Sequence, residues 1–136
     1  MARNFIDTNV VVYANDSHDV AKQRRAVELI ATAIREGSGV LSTQVLQEYA
    51  NVAVSKLGQR QDVVLRQLRL LERLHVVPQT PELIRRAVEL RGVYGISFWD
   101  ASVVAAAEAE KCDRIYSEDL NTGQFYAGIV VVNPFE

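Results

Sequence analysis

The sequence RNFIDTN at residues 3–9 is the most informative segment of the chain, because its short apolar run ends in a carboxylate that two small hydrogen-bonding residues follow. Phe5 and Ile6 are consecutive apolar residues, which is typical of a strand that is buried on both faces. The apolar residues at 10–13 then lead into a first helical segment. We therefore expect Asp7 at the carboxyl end of a buried strand, the edge at which open α/β sheets bind ligands.

Short apolar runs along the rest of the chain predict further strands, and helical patterns separate them. The predicted strands cover residues 5–6, 40–42, 76–77, 114–116 and 129–132. Strands that alternate with helices indicate right-handed parallel βαβ units, so we predict an α/β fold: a three-layer α/β/α sandwich around a mainly parallel sheet of about five strands. No linker or repeat interrupts the pattern, and a chain of 136 residues has the size of one domain, so we expect a single domain over residues 1–136.

The composition is that of an ordinary globular protein, with 49% hydrophobic and 24% charged residues. No apolar run approaches the length of about 20 residues that a membrane span needs, and no signal-peptide pattern opens the chain. We therefore expect a cytoplasmic protein without a membrane partner. The single Cys112 excludes an internal disulfide and a cysteine-rich zinc site, and we expect it to be a packing residue.

The formal net charge is -2, so the chain lacks the basic excess that favours non-specific binding to nucleic acids. This counts against a nucleic-acid substrate without excluding one, because local basic residues, a second subunit or a bound metal can supply positive charge. Several basic residues on predicted helices are candidates for phosphate contacts, but we expect them to form a solvated face. They are Lys22, Arg24, Arg25, Arg85, Arg86 and Arg91.

Acidic residues fall repeatedly at the predicted carboxyl edge of the sheet. They are Asp7, Glu48, Asp100 and Asp119. Asp7 and Asp119 would follow strands, whereas Glu48 and Asp100 would lie near the start of helices. Taken alone, each has a structural alternative: Asp7 and Asp119 also suit ordinary turns, and Asp100 suits a capping box with Ser97. Glu48 lies beside the apolar face of its helix, so we expect the Glu48 side chain to be half buried. We expect Thr43 to cap that helix.

The four acids together point to a metal ion. Two carboxylates about 4 Å apart repel by about 4 kcal/mol at an effective dielectric constant of about 20. Several such pairs would rival the whole stability of a domain, so a cluster needs protons or a cation. Oxygen ligands without an accompanying His or Cys cluster favour Mg²⁺ or Mn²⁺ over zinc, and a cation of this kind can activate water for phosphodiester hydrolysis. Thr8, Asn9 and Ser117 are placed to orient the ligands.

With these residues in place, the chain resembles the PIN-domain nucleases, and more closely the toxins of bacterial VapBC-type toxin–antitoxin pairs. The resemblance covers essentially the whole chain. It lies in FIDTN at 5–9, Glu48, FWDA at 98–101, SEDL at 117–120 and the closing VNPF at 132–135.

The resemblance implies that Asp7, Glu48, Asp100 and Asp119 are the acidic metal site, with Asp7 and Asp100 as the firmest ligands. It implies a Mg²⁺- or Mn²⁺-dependent endoribonuclease in which an activated water attacks phosphorus in line and leaves a 5′-phosphate and a 3′-hydroxyl. It also implies a homodimer, and an antitoxin protein that wraps the toxin and blocks the acidic site.

Other functions compete with this interpretation. An aspartyl-phosphate phosphotransferase also places an Asp after its first strand and binds Mg²⁺, but it usually has a second Asp two residues later, where this chain has Asn9. It also needs a lysine near a later strand end, and none is near Asp119 in the sequence. A catalytically silent PIN-like module that only binds nucleic acid is the non-enzymatic alternative. Trp99 precedes Asp100, and we expect it to pack in the core rather than stack on a base.

Overall fold

Strands and helices alternate along the chain, as the sequence predicts. The computed structural model describes residues 2–136, so Met1, the first residue of the predicted domain, lies outside the described residues. The strands are β1 Asn4–Ile6, β2 Gly39–Ser42, β3 His75–Val77, β4 Arg114–Tyr116, β5 Phe125–Tyr126 and β6 Ile129–Val132. The helices are α1 Thr8–Ala14, α2 Val20–Glu36, α3 Thr43–Ser55, α4 Gln61–Leu71, α5 Pro81–Tyr94 and α6 Phe98–Ala109.

The strands form one sheet in the order β3-β2-β1-β4-β6-β5. Every pairing is parallel except that of β5 with β6, which is antiparallel. The mainly parallel sheet is therefore confirmed. The predicted number of about five strands was one too low, because the short β5 was missed. Since β1 lies between β2 and β4, the residues that follow these three strands meet at one edge.

Helices cover both faces of the sheet, which confirms the three-layer architecture. Phe5 and Ile6 point to opposite faces of β1, and neither has any exposed surface. The α2 helix approaches β2 so closely that a Cβ atom at Gly39 would lie 2.8 Å from the Cβ atom of Ala33. The Leu74 side chain would lie closer still, so position 39 admits only glycine unless Leu74 and either α2 or the sheet shift.

Two further expectations concern the chain as a whole. None of the helices within residues 2–136 combines the length and the apolar character needed to cross a bilayer. The division of residues 1–136 into one domain stays a prediction.

Candidate active site

Asp7 lies at the carboxyl end of β1 and caps the amino terminus of α1. Its Oδ1 atom accepts a hydrogen bond of 2.7 Å from the Thr8 backbone amide. Its Oδ2 atom accepts one of 2.8 Å from the hydroxyl of Ser117, which follows β4. Asp7 is only 6% exposed and Ser117 is fully buried. The two neighbouring strands therefore deliver a buried carboxylate and its donor to the same place.

Asn9 links the acids of the two strands. Its Nδ2 amide donates to Asp7 Oδ2 at 3.4 Å and to Asp119 Oδ2 at 3.2 Å. Its Oδ1 atom accepts a bond of 3.0 Å from the Glu118 backbone amide, which fixes the orientation of the side chain. Asp7 and Asp119 thus share a donor although they are far apart in the sequence. Asp7, Asp119, Asn9 and Ser117 form a continuous network.

Glu48 joins this network from α3. Its Oε1 atom accepts a bond of 2.8 Å from the hydroxyl of Thr8, the residue directly after Asp7. Glu48 is partly buried, as the sequence predicts. The helix that carries it is capped by Ser42, whose hydroxyl accepts from the Val45 amide, so the predicted cap at Thr43 was wrong by one residue. The error arose because Ser42 and Thr43 are adjacent and both are good caps, while Ser42 is also the last residue of β2.

Asp100 lies in the first turn of α6 and is partly buried. The Ser97 hydroxyl accepts a hydrogen bond of 3.1 Å from the Asp100 backbone amide. This bond uses the main chain of Asp100, and a hydrogen bond with the Ser97 side chain also lowers the pKa of the Asp100 carboxyl. Ser97 thus engages both the backbone and the carboxyl group of Asp100, which suits a helix cap and a held ligand alike.

The acids influence one another electrostatically. Burial raises the pKa of Asp7 to about 6, while the hydrogen bonds from Ser117 and Thr8 oppose the rise and the charges of Asp119 and Glu48 add to it. Burial also raises the pKa of Asp100, against the hydrogen bond from Ser97 and with the charge of Asp119. The acids from four separate segments thus lie within reach of one another's charges.

The acids of the site have the oxygen ligands that a hard divalent cation prefers. Their side chains, however, are too far apart to bind one cation together in this arrangement. Within the described part of the chain, no three His, Cys, Asp or Glu side chains lie close enough together to hold a metal ion. The carboxylates accept hydrogen bonds from neighbouring side chains. Ser117 donates to Asp7, Asn9 donates to Asp119, and Thr8 donates to Glu48. These acids and Asp100 offer carboxylate oxygens, the ligands that Mg²⁺ and Mn²⁺ prefer.

A fifth acid at this edge, Glu118, is neutralised by the protein itself. Lys22 forms an ion pair with it, and the Tyr13 hydroxyl donates a bond of 2.7 Å to its Oε1 atom. Consistent with these contacts, the bonds from Lys22 and Tyr13 hold the pKa of Glu118 below its usual range despite partial burial. The prediction that Lys22 belongs to a solvated face was therefore wrong. Arg25 and Arg86 likewise bond within the protein, to the Pro134 carbonyl and to Glu108.

Sequence reasoning missed two glutamines and misplaced one tryptophan. Gln44 and Gln79 connect α3, α6 and the end of β3 beside the acids. Gln44 also bonds to Glu48, four residues later on the same helix, but the bonds that join the separate elements span 23 to 55 residues and left no local pattern. Trp99 is 62% exposed, so the prediction that it packs in the core was wrong. Its ring packs edge-on against Phe98, with 5.2 Å between the ring centroids.

The chain matches the sequence model of one protein family and is similar in fold to several solved structures. The sequence model of the PIN domain matches residues 5–126. No curated protein matches the chain.

Solved structures share the fold at low sequence identity. VapC20 of Mycobacterium tuberculosis, described as a sarcin–ricin loop cleaving toxin, is 24% identical with a TM-score of 0.70, over 85% of this chain and 89% of that one. The DNA-bound VapBC of Salmonella typhimurium is 14% identical with a TM-score of 0.70, over 96% and 97%. A toxin–antitoxin complex of Klebsiella pneumoniae is 19% identical with a TM-score of 0.68, over 98% of both chains. At these identities the likeness shows a common fold.

Proposed function

Because the chain belongs to the PIN domain family, we propose that it is a metal-dependent endoribonuclease that serves as the toxin of a type II toxin–antitoxin pair. One observation carries the proposal: Asp7 and Asp119 share the Asn9 amide, while the charges of Asp119 and Glu48 both raise the pKa of Asp7. A protein rarely gathers acids at such an electrostatic cost without a use for them. The solved toxin folds are consistent with that use.

The residues that would hold the cation are Asp7, Glu48, Asp100 and Asp119. When bound, Mg²⁺ or Mn²⁺ supplies a Lewis acid that makes a coordinated water more acidic and neutralises charge on a phosphate. The protein contributes the orientation. Ser117 and the Thr8 amide fix both oxygens of Asp7, and the Thr8 hydroxyl fixes Glu48, so the carboxylates lose little freedom when a cation binds. In-line attack of water on phosphorus would leave a 5′-phosphate and a 3′-hydroxyl.

Trp99 supports a single-stranded nucleic acid as the substrate. An indole that is 62% exposed beside Asp100 offers a flat surface on which an unpaired base can stack. The Phe98 ring packs against it and limits its movement. The chemistry of in-line hydrolysis alone does not distinguish RNA from DNA, so the choice of RNA rests on the resemblance to the toxins.

An antitoxin partner is supported by an apolar groove between α2 and α4. The groove has a volume of about 420 Å³, and Val27, Ile30 and Leu70 are among its lining residues. Arg35 and Arg73 also line it. We infer that it receives an amphipathic segment of the antitoxin whose acidic residues pair with these arginines. The homodimer that the resemblance implies stays a prediction, which sedimentation of the purified protein checks.

The phosphotransferase alternative has one structural point in its favour. The fold brings Lys22 to Glu118, next to Asp119, which the sequence did not reveal. The ammonium group is engaged by Glu118 and lies over the Tyr13 ring, however, and Asn9 acts as a hydrogen-bond donor between two acids. A phosphorylated aspartate after incubation with acetyl phosphate would favour this alternative over the nuclease.

The test measures how fast the wild type, Asp100→Asn and Ser97→Ala cleave a single-stranded RNA. Each protein is assayed once with Mg²⁺ and once with EDTA. Asp100→Asn keeps the backbone amide that bonds to Ser97, so the fold should persist while cleavage is lost at least a hundredfold. Ser97→Ala removes the cap and the hydrogen bond that lowers the pKa of Asp100, so it should lower the free energy of unfolding by about 1 kcal/mol and reduce cleavage far less than Asp100→Asn does. Full cleavage by Asp100→Asn, or cleavage that persists in EDTA, would refute the proposal.

A further inference from the structure

Gln44 is a buried polar residue between two of the acids. It lies in the first turn of α3, one helical turn before Glu48, and is only 5% exposed. Its Nε2 amide donates to Glu48 Oε1 at 3.3 Å and to the backbone carbonyl of Trp99 at 3.2 Å. Trp99 directly precedes Asp100. One side chain therefore joins the helix that carries Glu48 to the turn that carries Asp100.

Gln79 reinforces this connection from the end of β3. Its Oε1 atom accepts from the Gln44 backbone amide at 3.3 Å and from the Thr43 hydroxyl at 3.2 Å. Its Nε2 amide donates to the Ser102 hydroxyl in α6 at 2.9 Å. The first turn of α3 and the start of α6 are thus connected at two levels, once through Gln44 and once through Gln79.

The orientation of the Gln44 amide is set by its neighbours and has a cost. Both partners of Nε2 are acceptors, a carboxylate and a carbonyl, so the amide cannot be reversed without losing both bonds. The Oε1 atom is buried and has no donor among residues 2–136, which is unfavourable. A leucine would fill a similar volume without this cost. Packing alone therefore does not explain a glutamine here, and the two donated bonds do.

Glu48 shows what these bonds achieve. Its Oε1 atom accepts from both Gln44 and Thr8, so one oxygen of the carboxylate is held from two directions. Within the described chain, Oε2 has no hydrogen-bond donor from the protein. The carboxylate is therefore fixed through one oxygen, which leaves the other available as a ligand.

We propose that Gln44 is a positioning residue that sets the separation of Glu48 and Asp100 for binding of a divalent cation. This rests on the proposed function, because it assigns Gln44 a task at that same site. Gln44 acts through Glu48 and the first turn of α6. Residues that orient metal ligands typically change metal affinity or activity by about 10- to 100-fold when they are replaced.

The test compares Gln44→Leu with Gln47→Leu, which replaces an exposed glutamine on the same helix. Mn²⁺ affinity is measured by calorimetry, RNA cleavage gives kcat and KM, and urea unfolding confirms the fold. Gln44→Leu should weaken Mn²⁺ binding by about tenfold or more and lower kcat with little change in KM. Gln47→Leu should match the wild type. If Gln44→Leu does not fold, Gln44→Met, which is unbranched and nearly as long, gives the same comparison.

The outcomes separate this proposal from the nuclease function. If the wild type binds Mn²⁺ and cleaves RNA while Gln44→Leu and Gln44→Met keep both properties, the positioning role is overturned and the nuclease stands. A higher KM with unchanged kcat and Mn²⁺ affinity would also overturn it, because that pattern indicates an RNA contact. If the wild type neither binds Mn²⁺ nor cleaves RNA, both proposals fall.

Discussion

The Ser117 hydroxyl donates a 2.8 Å hydrogen bond to the Asp7 carboxylate across 110 residues of sequence. The bond joins the ends of β1 and β4, which are neighbours in the sheet. It favours the charged form of a carboxylate whose pKa burial raises. The parallel pairing of two short strands thus brings to Asp7 a donor that lowers its pKa against the effect of burial.

Ser117→Ala should raise the pKa of Asp7 further above about 6 in the metal-free protein, because it removes a donor that favours the charged form. Titration followed by carboxyl ¹³C NMR measures this directly. Ser38→Ala is the matched control, since Ser38 is also buried but precedes β2 at the opposite edge of the sheet. An unchanged Asp7 pKa in Ser117→Ala would contradict the account.

The stability of the metal-free protein should fall as the pH rises from about 4 to about 7. The pKa of Asp7 rises from 3.8 to about 6 on folding, so the native state binds more protons than the unfolded state in this window. A shift of about two units corresponds to roughly 3 kcal/mol, which is present below the unfolded pKa and lost above the folded one.

Asp7→Asn isolates this contribution, because an amide in place of the carboxylate does not titrate. Urea unfolding in EDTA at pH 4, 5, 6 and 7 should show the wild type losing stability relative to Asp7→Asn as the pH rises. Parallel stability curves for the two proteins would show that the fold does not raise the pKa of Asp7.

The strands were predictable because their residues are buried on both faces and read as short apolar runs, as in Phe5 and Ile6. The missed β5 pairs with β6 through a two-residue turn at Ala127 and Gly128, both with positive φ. Such turns are usually signalled by Asn-Gly or Asp-Gly, and an alanine at the first position gives no such signal.

The acids were predictable as candidates because each stands at a strand end or a helix start. The sequence also predicted that they meet at one edge with Asn9 as an orienting residue, but not which acids Asn9 joins, because that depends on its reach across the sheet edge to Asp119. The i,i+4 spacing of Gln44 and Glu48 allowed their bond, but the link from Gln44 to α6 was not predictable, since its bond to the Trp99 carbonyl spans 55 residues. The exposure of Trp99 also had no local signal, because helical spacing does not reveal which face of α6 a neighbouring helix covers.

Trp99→Ala should lower the free energy of unfolding by less than about 1 kcal/mol, because the indole is 62% exposed. Replacement of the fully buried Tyr49 by alanine should cost about 3 to 5 kcal/mol in the same urea unfolding experiment. We also expect Trp99→Ala to raise KM for RNA, and Trp99→Phe to restore part of the loss through its remaining ring. An unchanged KM would remove the base-stacking role.

Leu70→Asp should prevent binding of the antitoxin and leave RNA cleavage intact, because Leu70 lines the apolar groove and is 40% exposed. Co-purification with the product of a short gene directly upstream measures the binding. Leu65→Asp is the control, since Leu65 lies on the same helix with 43% exposure but outside the groove. Equal retention of the partner by both variants would show that the antitoxin binds elsewhere.

Gly39→Ala should destabilise the protein by about 1 to 3 kcal/mol, because the added Cβ would overlap Leu74 Cδ2 and lie 2.8 Å from the Cβ atom of Ala33 in α2. Gly92→Ala should have the opposite sign and stabilise by about 0.5 to 1 kcal/mol, since it lies within α5 and nothing is within 4 Å of its Cβ position. Urea unfolding compares the two. Equal effects would mean that neither Leu74 nor α2 constrains position 39.

The central claim is that Asp7, Glu48, Asp100 and Asp119, which come from four separate segments, form one binding site for Mg²⁺ or Mn²⁺. Anomalous diffraction from crystals grown with Mn²⁺ tests it most directly. We predict a peak about 2.0 to 2.3 Å from oxygens of Asp7 and of at least one of Asp100 and Asp119, and no such peak in Asp7→Asn crystals. A wild-type crystal at saturating Mn²⁺ with no peak among these carboxylates would contradict the claim.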